Sequence, residues 1–356
     1  MKSRTRFGMN AAALAIMAGT LMLAAGTASG AAEYYVAPPT ATPAGDDDND
    51  GSADAPFATI AKGITEADTA IGGGAASVTI HLADGTYLEY GLHLTSAITI
   101  AGSSGNRDAV IVDANSAGRA FTLSGTGAIL ANLTVTGGRI TSGDGANISM
   151  TAAATVTNCV ISGGTIAYSG GRGGNIYMTG AGLIVDSKLF GGSGNGVNSC
   201  VGYSIWASAG RVMRCIVTGG AYANVSSSPI YLDGAVTMEN CLVTGNSSSG
   251  TGAIVYVNHA SAKIVNCTIV GNTTGTYGGI YLNAAGQVFN TVIYNNGGTA
   301  AKEWGGVNGG RFVYCATAEG LAISGGMACI AAVTDAAFVN YGTDYTPAPG
   351  GVLENV

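Results

Sequence analysis

Between about Gly118 and Asn296 apolar and polar residues alternate in runs of about five, and the runs recur at a nearly constant interval. The clearest copies are GNIYMTGAGLIVDSKLFGG (174–192), SPIYLDGAVTMENCLVTGN (228–246), AIVYVNHASAKIVNCTIVGN (253–272) and GIYLNAAGQVFNTVIYNN (279–296). One apolar column, Ile148, Ile176, Ile205, Ile230, Val255 and Ile280, advances by 28, 29, 25, 25 and 25 residues. A second column, Asn132, Asn158, Asp186, Arg214, Asn240, Asn266 and Asn290, advances by 26, 28, 28, 26, 26 and 24. Two columns that keep one period mark a solenoid. Within each copy the runs are rich in β-branched residues, are bounded by Gly or Asn, and have no helical spacing. The fold class this predicts is all-β: a single right-handed parallel β-helix of eight to ten rungs stacked about 4.8 Å apart.

The Gly-Gly-Ile and Val-x-Asn-Cys strings resemble those of exported right-handed β-helix repeat proteins of the pectate-lyase-like superfamily, and also polymorphic outer-membrane protein repeats. The likeness runs from about Tyr34 to Asn296 and includes the segment Val78 to Tyr87, a form common where such helices begin. It implies a stacked asparagine ladder for the Asn column. For activity it implies calcium-dependent lyases with an Arg or Lys base, or hydrolases with spaced carboxylates.

Alternation also assigns faces. Ile176 and Met178 point inward, so Tyr177 points out, and the same rule sends Trp206, Tyr231, Tyr256 and Tyr281 outward. Five aromatic residues on successive rungs make a stripe of about 19 Å at about 4.8 Å per rung. Such a stripe is a platform for sugar rings or a partner, or else a stabilising ladder. In the Asn column the residue must turn without glycine, and Asn tolerates the left-handed conformation best. Asp186 and Arg214 interrupt it on adjacent rungs, which predicts a salt bridge. Cys159, Cys215, Cys241 and Cys267 follow the column and face inward, with Ser187 and Thr291 as substitutes and Cys315 as a continuation. Directly stacked Cβ atoms stay about 4.8 Å apart, too far for disulfides. Only Cys315 with Cys329 is expected to bridge, and no spacing resembles a zinc site.

Before the coil, Lys2, Arg4 and Arg6 precede the apolar run Ala11 to Ala25 and small residues at Ala28, Gly30 and Ala32. This reads as a signal peptide over residues 1–32, with cleavage after Gly30 or Ala32, and the mature chain has no second run that would span a bilayer. Residues 33–77 follow as an N-terminal strand, an acidic loop and a helix. In the loop, Asp46, Asp48 and Asp50 alternate before Gly51 like the start of a calcium loop, but Phe57 stands where the bidentate acid belongs. A solvated turn is the alternative. Phe57, Ile60, Ile64, Ala67 and Ile71 fall on one helical face; with Pro56 at the first position and Asp54 or Ala55 as cap, they predict a lid over the first rung. The coil is expected over 78–296, and 297–356 as a C-terminal cap or attachment stub.

The 58 glycines among 356 residues supply the turns, and only 10% of residues are charged. The net charge of −7 belongs to the N-terminal region, since ten of the 21 acids precede position 90. Residues 120–300 are near neutral, with six Lys or Arg against Asp144, Asp186, Asp233 and Glu239. No nucleic-acid partner is expected. These four acids include no adjacent pair, His259 stands alone, and no Gly-His-Gly occurs. Arg172, Lys188, Arg211 and Arg214 are candidates for a base and clamp on an acidic polysaccharide, or are scattered solvated charges. Two functions follow: a secreted or surface β-helix that binds a glycan or surface partner without catalysis, and a polysaccharide lyase or glycoside hydrolase. Oligomeric state is open.

Overall fold

The structure, a computed structural model, describes residues 31–194, 200–220, 228–248, 252–297, 303–306, 308–318, 329, 333–349 and 351–353. Of the expected signal segment, residues 1–30 lie outside these. The chain forms a right-handed parallel β-helix. A typical rung runs through Ile148–Met150, Thr155–Thr157 and Val160–Ser162. We call the stacks to which these three strands belong columns I, II and III. The apolar register is as the sequence requires: Ile148 pairs with Ile176, Ile176 with Ile205, Ile205 with Ile230, Ile230 with Val255 and Val255 with Ile280. Column III alone is a ten-stranded parallel sheet. The inward residues of all three columns share one continuous core.

Between columns II and III the chain turns on one left-handed residue per rung. Asn132, Asn158, Asp186, Arg214, Asn240, Asn266 and Asn290 all have φ between 47° and 58°, and Tyr314 continues the series at 55°. Asn158 donates to Asn132 Oδ1 at 2.8 Å, and Asn290 to Asn266 Oδ1 at 3.1 Å. Arg214 has no such amide, and the left-handed backbone costs a non-Gly residue roughly 1–2 kcal/mol. Its guanidinium instead grips Asp186 with two bonds of 2.7 and 2.8 Å. The pair is half exposed and offsets up to roughly 1 kcal/mol of that cost.

All seven cysteines are thiols, and the expected Cys315–Cys329 bridge is absent. Cys315 Sγ lies on Val288 O and Val313 O, whereas Cys329 Sγ lies on Phe312 O. In the column each thiol contacts the carbonyl two residues back, as Cys159 does on Thr157 O at 3.2 Å; Ser187 and Thr291 make the same bond with hydroxyls at 2.8 Å. Burial pushes the thiols of Cys159 and Cys315 up to about 12. Both are therefore neutral at pH 8, and only the thiolate is nucleophilic. Thiol titration at pH 8 should detect seven groups after denaturation, with Cys159, Cys215, Cys241, Cys267 and Cys315 silent before it because all five are buried out of reach of the reagent. Alkylation of these five in the folded chain would contradict the register.

The ends differ from the sequence expectation in four respects. The coil begins at Ala32–Val36, which pairs in parallel with Val78–Leu82, and the helix is an insertion between these strands. That helix spans Ile60–Gly72 and starts later than expected, because Thr59 rather than Asp54 or Ala55 caps it, its side chain accepting from Lys62 N. Phe57 precedes the helix and bridges to Val36. The helix does plug the interior end: a Cβ on Gly63 would lie 3.1 Å from Val36 and 3.2 Å from Ile80. At the other end the period persists through Trp304–Gly305, Arg311–Val313 and Ala316–Thr317. Past it, a hairpin of Phe338–Asn340 and Asp344–Pro347 folds back along the side of column III. There Val270, Ala316, Phe338 and Leu353 form a separate apolar cluster with Leu242, Tyr341 and Tyr345.

Candidate functional site

The alternating aspartates of the acidic loop are engaged in local turns. Asp46 Oδ1 accepts from Asp48 N at 3.0 Å and Asp50 Oδ1 from Ser52 N at 2.9 Å, so each closes its own turn. Among the described residues no three His, Cys, Asp or Glu side chains assemble as metal ligands. Asp47, which the alternation leaves out, carries the structural role: it accepts from Ala58 N, Thr59 N and Thr59 Oγ1 at 2.8–2.9 Å. Held this way, the loop pairs with the outer edge of the first strand through Tyr35 N to Gly51 O and Phe57 N to Tyr35 O. An edge that would otherwise recruit another chain is thereby covered.

The four cations do not form one group. Arg172 stands on the turn before column I, Arg211 in column II, Arg214 at the turn after it, and Lys188 in column III. Arg172 pairs with Asp144 at 2.9 Å, Arg211 with Glu239 at 2.7 Å and Arg214 with Asp186 at 2.7 Å. Lys188 lies over the Phe190 ring at 5.6 Å. The remaining coil acid, Asp233, accepts from Asn258 Nδ2 at 2.7 Å. Each of these four acids is thus matched one to one with a residue one rung away. Neither a carboxylate pair for glycoside cleavage nor an acid cluster for calcium remains among them.

Column I carries the aromatic residues in full register: Tyr177 beside Trp206, Trp206 beside Tyr231, Tyr231 beside Tyr256, and Tyr256 beside Tyr281. Ring centroids are 4.8 Å apart for Tyr177–Trp206, 4.9 Å for Tyr231–Tyr256 and 5.1 Å for Tyr256–Tyr281, with planes within 22°. The rings of these three pairs therefore stack, and spend those faces on one another. What they present to solvent is a row of edges and hydroxyls. Tyr177, Tyr231, Tyr256 and Tyr281 are half-buried, and their hydroxyls make no hydrogen bond to the described residues. Burial, with the Asp233 charge beside it, pushes the Tyr231 phenol up to about 12, and burial also raises those of Tyr177 and Tyr256. All three are therefore neutral donors at physiological pH.

Trp206 follows the alternation but is only 3% exposed. The Arg172 guanidinium lies 4.7 Å from its ring and 5.2 Å from that of Tyr177. The turn at Gly202 also closes on it: a Cβ there would stand 2.8 Å from the Trp206 Cβ. Trp206 does point outward from the sheet, but Arg172 and this turn cover it. The accessible part of the stripe is Tyr231 to Tyr281, with Tyr277 tilted against Tyr281 at 4.5 Å.

Two residues beyond each exposed tyrosine stands another outward side chain: Asp233, Asn258 and Asn283. Asn258 donates to Asp233 Oδ1 and Asn283 to Asn258 Oδ1, both at 2.7 Å. Asn308 extends the row by donating to Asn283 O at 3.2 Å. Three successive rungs therefore pair a phenol with an amide or carboxylate. The alternation that placed the tyrosines outward places these residues too; what hid them was their variation between Asp and Asn.

No protein-family model and no curated protein match this chain. Among solved structures it is similar to pectate lyase Pel9A, at 14% identity and a TM-score of 0.45 over 87% of this chain and 83% of that one. It is also similar to a rhamnogalacturonan lyase, at 16% identity and a TM-score of 0.39, covering 80% and 74%. A third is the deglycosylated pectin methylesterase from Aspergillus niger, at 17% and 0.41, covering 88% and 93%. At these values the likeness concerns the course of the chain, and chemistry must be argued from this chain's own residues.

Proposed function

We propose that this protein is an exported or cell-surface β-helix that binds a polysaccharide along column I without cleaving it. The observation that carries the reading is the double row on three successive rungs, Tyr231 with Asp233, Tyr256 with Asn258 and Tyr281 with Asn283. A saccharide chain laid along the coil axis meets hydroxyl donors, amide donors and acceptors, and a carboxylate at intervals of one rung. Ring edges supply apolar contact beside them. The pairing of Asp144, Asp186, Asp233 and Glu239 with residues one rung away supports binding over cleavage along this part of the coil, because a hydrolase needs a carboxylate free to take or give a proton. This reading involves no metal.

The test is a triple variant in which Tyr231, Tyr256 and Tyr281 all become Phe, which keeps the stacked rings and removes only the hydroxyls. Affinity electrophoresis against neutral and acidic polysaccharides should show retardation of the parent chain, and loss of most of it in the variant. The melting temperature should change by no more than a few degrees, since each ring pair keeps its contribution of about 0.2–1 kcal/mol. The same incubations, followed for unsaturated ends and reducing sugar, should yield no product. Product on any polymer would instead make the protein a lyase or hydrolase.

A further inference from the structure

On the turn between columns II and III the ladder of left-handed residues is interrupted at Asn240. Asn158 bonds to Asn132, Arg214 to Asp186 and Asn290 to Asn266. Asn240 makes no side-chain hydrogen bond to Arg214 or to Asn266, and Asn266 uses its oxygen for Asn290 while its amide nitrogen is free of an acceptor. Both are exposed. These two amides form the floor of a groove of about 430 Å³ between the coil and the C-terminal hairpin. Thr268 joins them from the coil, and Thr343, Asp344 and Tyr345 form the opposite wall.

The wall is held in place before any ligand arrives. Tyr345 hydroxyl and Thr244 Oγ1 are 3.1 Å apart, and the ring stands edge-on to Phe338 at 5.9 Å and to Tyr341 at 5.6 Å. Asp344 Oδ1 accepts from Thr346 N at 2.9 Å, and the Thr346 side chain also bonds the carboxylate, which fixes it in place. The groove thus combines one aromatic ring, two amides, hydroxyls and a carboxylate, with no cation among its lining residues. Amides and hydroxyls donate as well as accept, as the hydroxyls of a sugar ring do. The lone carboxylate favours neutral hydroxyls and repels an acidic unit.

We propose that this groove is a second saccharide site that takes a neutral hexopyranose unit, formed jointly by the coil and the hairpin and separate from the column I face. Its observations are independent of the column I reading, and its test keeps the two apart. Saturation-transfer NMR on the full chain would use β-1,4-linked tetra- to hexasaccharides of glucose, mannose and galactose, with oligogalacturonate as the charged control. Three variants are compared: Asn240→Gly, which keeps the left-handed turn; Asp344→Asn, which keeps the acceptor for Thr346 N; and the triple Tyr-to-Phe change of column I.

At least one neutral oligosaccharide should bind, and the first two variants should each weaken it about tenfold, the scale of one lost hydrogen-bonding group, at unchanged melting temperature. The triple variant should retain this binding. Absence of binding to every neutral oligosaccharide would overturn the proposal. So would binding indifferent to both groove variants, binding lost only in the triple variant, or a preference for the uronate.

Discussion

Replacing Asn272 by Ala will lower the unfolding free energy by about 3–5 kcal/mol, a loss far outside the range for surface asparagines, because every hydrogen bond of a fully engaged buried amide vanishes at once. The two N–H groups of Asn272 Nδ2 are shared among Val243 O at 2.9 Å, Val270 O at 3.1 Å and Asn296 Oδ1 at 2.6 Å. Its Oδ1 accepts from Asn246 N and Asn246 Nδ2, both at 3.0 Å. The chain continues from Asn296 Nδ2 to Glu303 Oε2 at 2.8 Å, so a fully interior amide ladder runs through the last rungs. A small residue takes the acceptor from the Asn246 backbone N–H and the donor from Asn296 Oδ1, and the void is too polar to collapse. The control is Asn266→Gly, six positions away in the exposed ladder, where glycine accepts the left-handed backbone and one exposed bond is lost; its cost should stay below about 1 kcal/mol. Urea unfolding followed by far-ultraviolet circular dichroism compares the two. Equal shifts would mean that the interior amides contribute no more than the exterior ones.

Gly234→Ala is expected to cost about 2–4 kcal/mol and to disturb the aromatic ladder beside it. Gly234 lies in the long strand Ile230–Glu239, which runs from column I into column II, opposite an irregularity between Ala207 and Ala209. A Cβ at this position would stand 1.7 Å from Ser208 O, a backbone atom that no rotamer change can move. Relief requires the two rungs to separate next to the Trp206–Tyr231 pairing, so near-ultraviolet dichroism should change along with the melting temperature. Gly72→Ala is the matching control: nothing lies within 4 Å of its Cβ, and the residue ends a helix. That substitution should be neutral or slightly stabilising. A Gly234 variant as stable as the Gly72 variant would show that the corner is not close-packed.

Much of the fold was legible because a solenoid writes its contacts into its period. Residues one repeat apart are neighbours, so the register of Ile148 through Ile280, the left-handed Asn column, the inward thiols and the Asp186–Arg214 pair all follow from spacing and alternation. The outward direction of the tyrosines follows in the same way, since a slip of one residue would bury them all. The sequence by itself thus determined the strand register and these contacts between equivalent positions of successive rungs.

Contacts that run around or across the coil were decided only by the tertiary structure. The interior amides show the reason. On early rungs Asn147 and Asn175 begin column I strands and fill the space beside Gly138 and Gly164, where an added Cβ would stand 2.5 Å from Asn147 Oδ1 and 2.9 Å from its Nδ2. On later rungs Asn246, Asn272 and Asn296 occupy the position of those glycines and fill the space from the opposite side. The complementarity joins Gly138 to Asn147 and Gly164 to Asn175, nine and eleven positions apart, and the Asn246, Asn272 and Asn296 column by itself does not show that its side chains turn inward to fill the same space. Trp206 was hidden for the same reason: its cover comes from Arg172 on another turn. Likewise the grouping of four cations by rung dissolved once their angular positions around the coil were fixed, and the hairpin found column III because Leu242, Val292 and Tyr294 left an apolar strip there. Period specifies which rung a residue belongs to, but the angle at which a turn delivers the next side chain depends on packing between turns of unlike length.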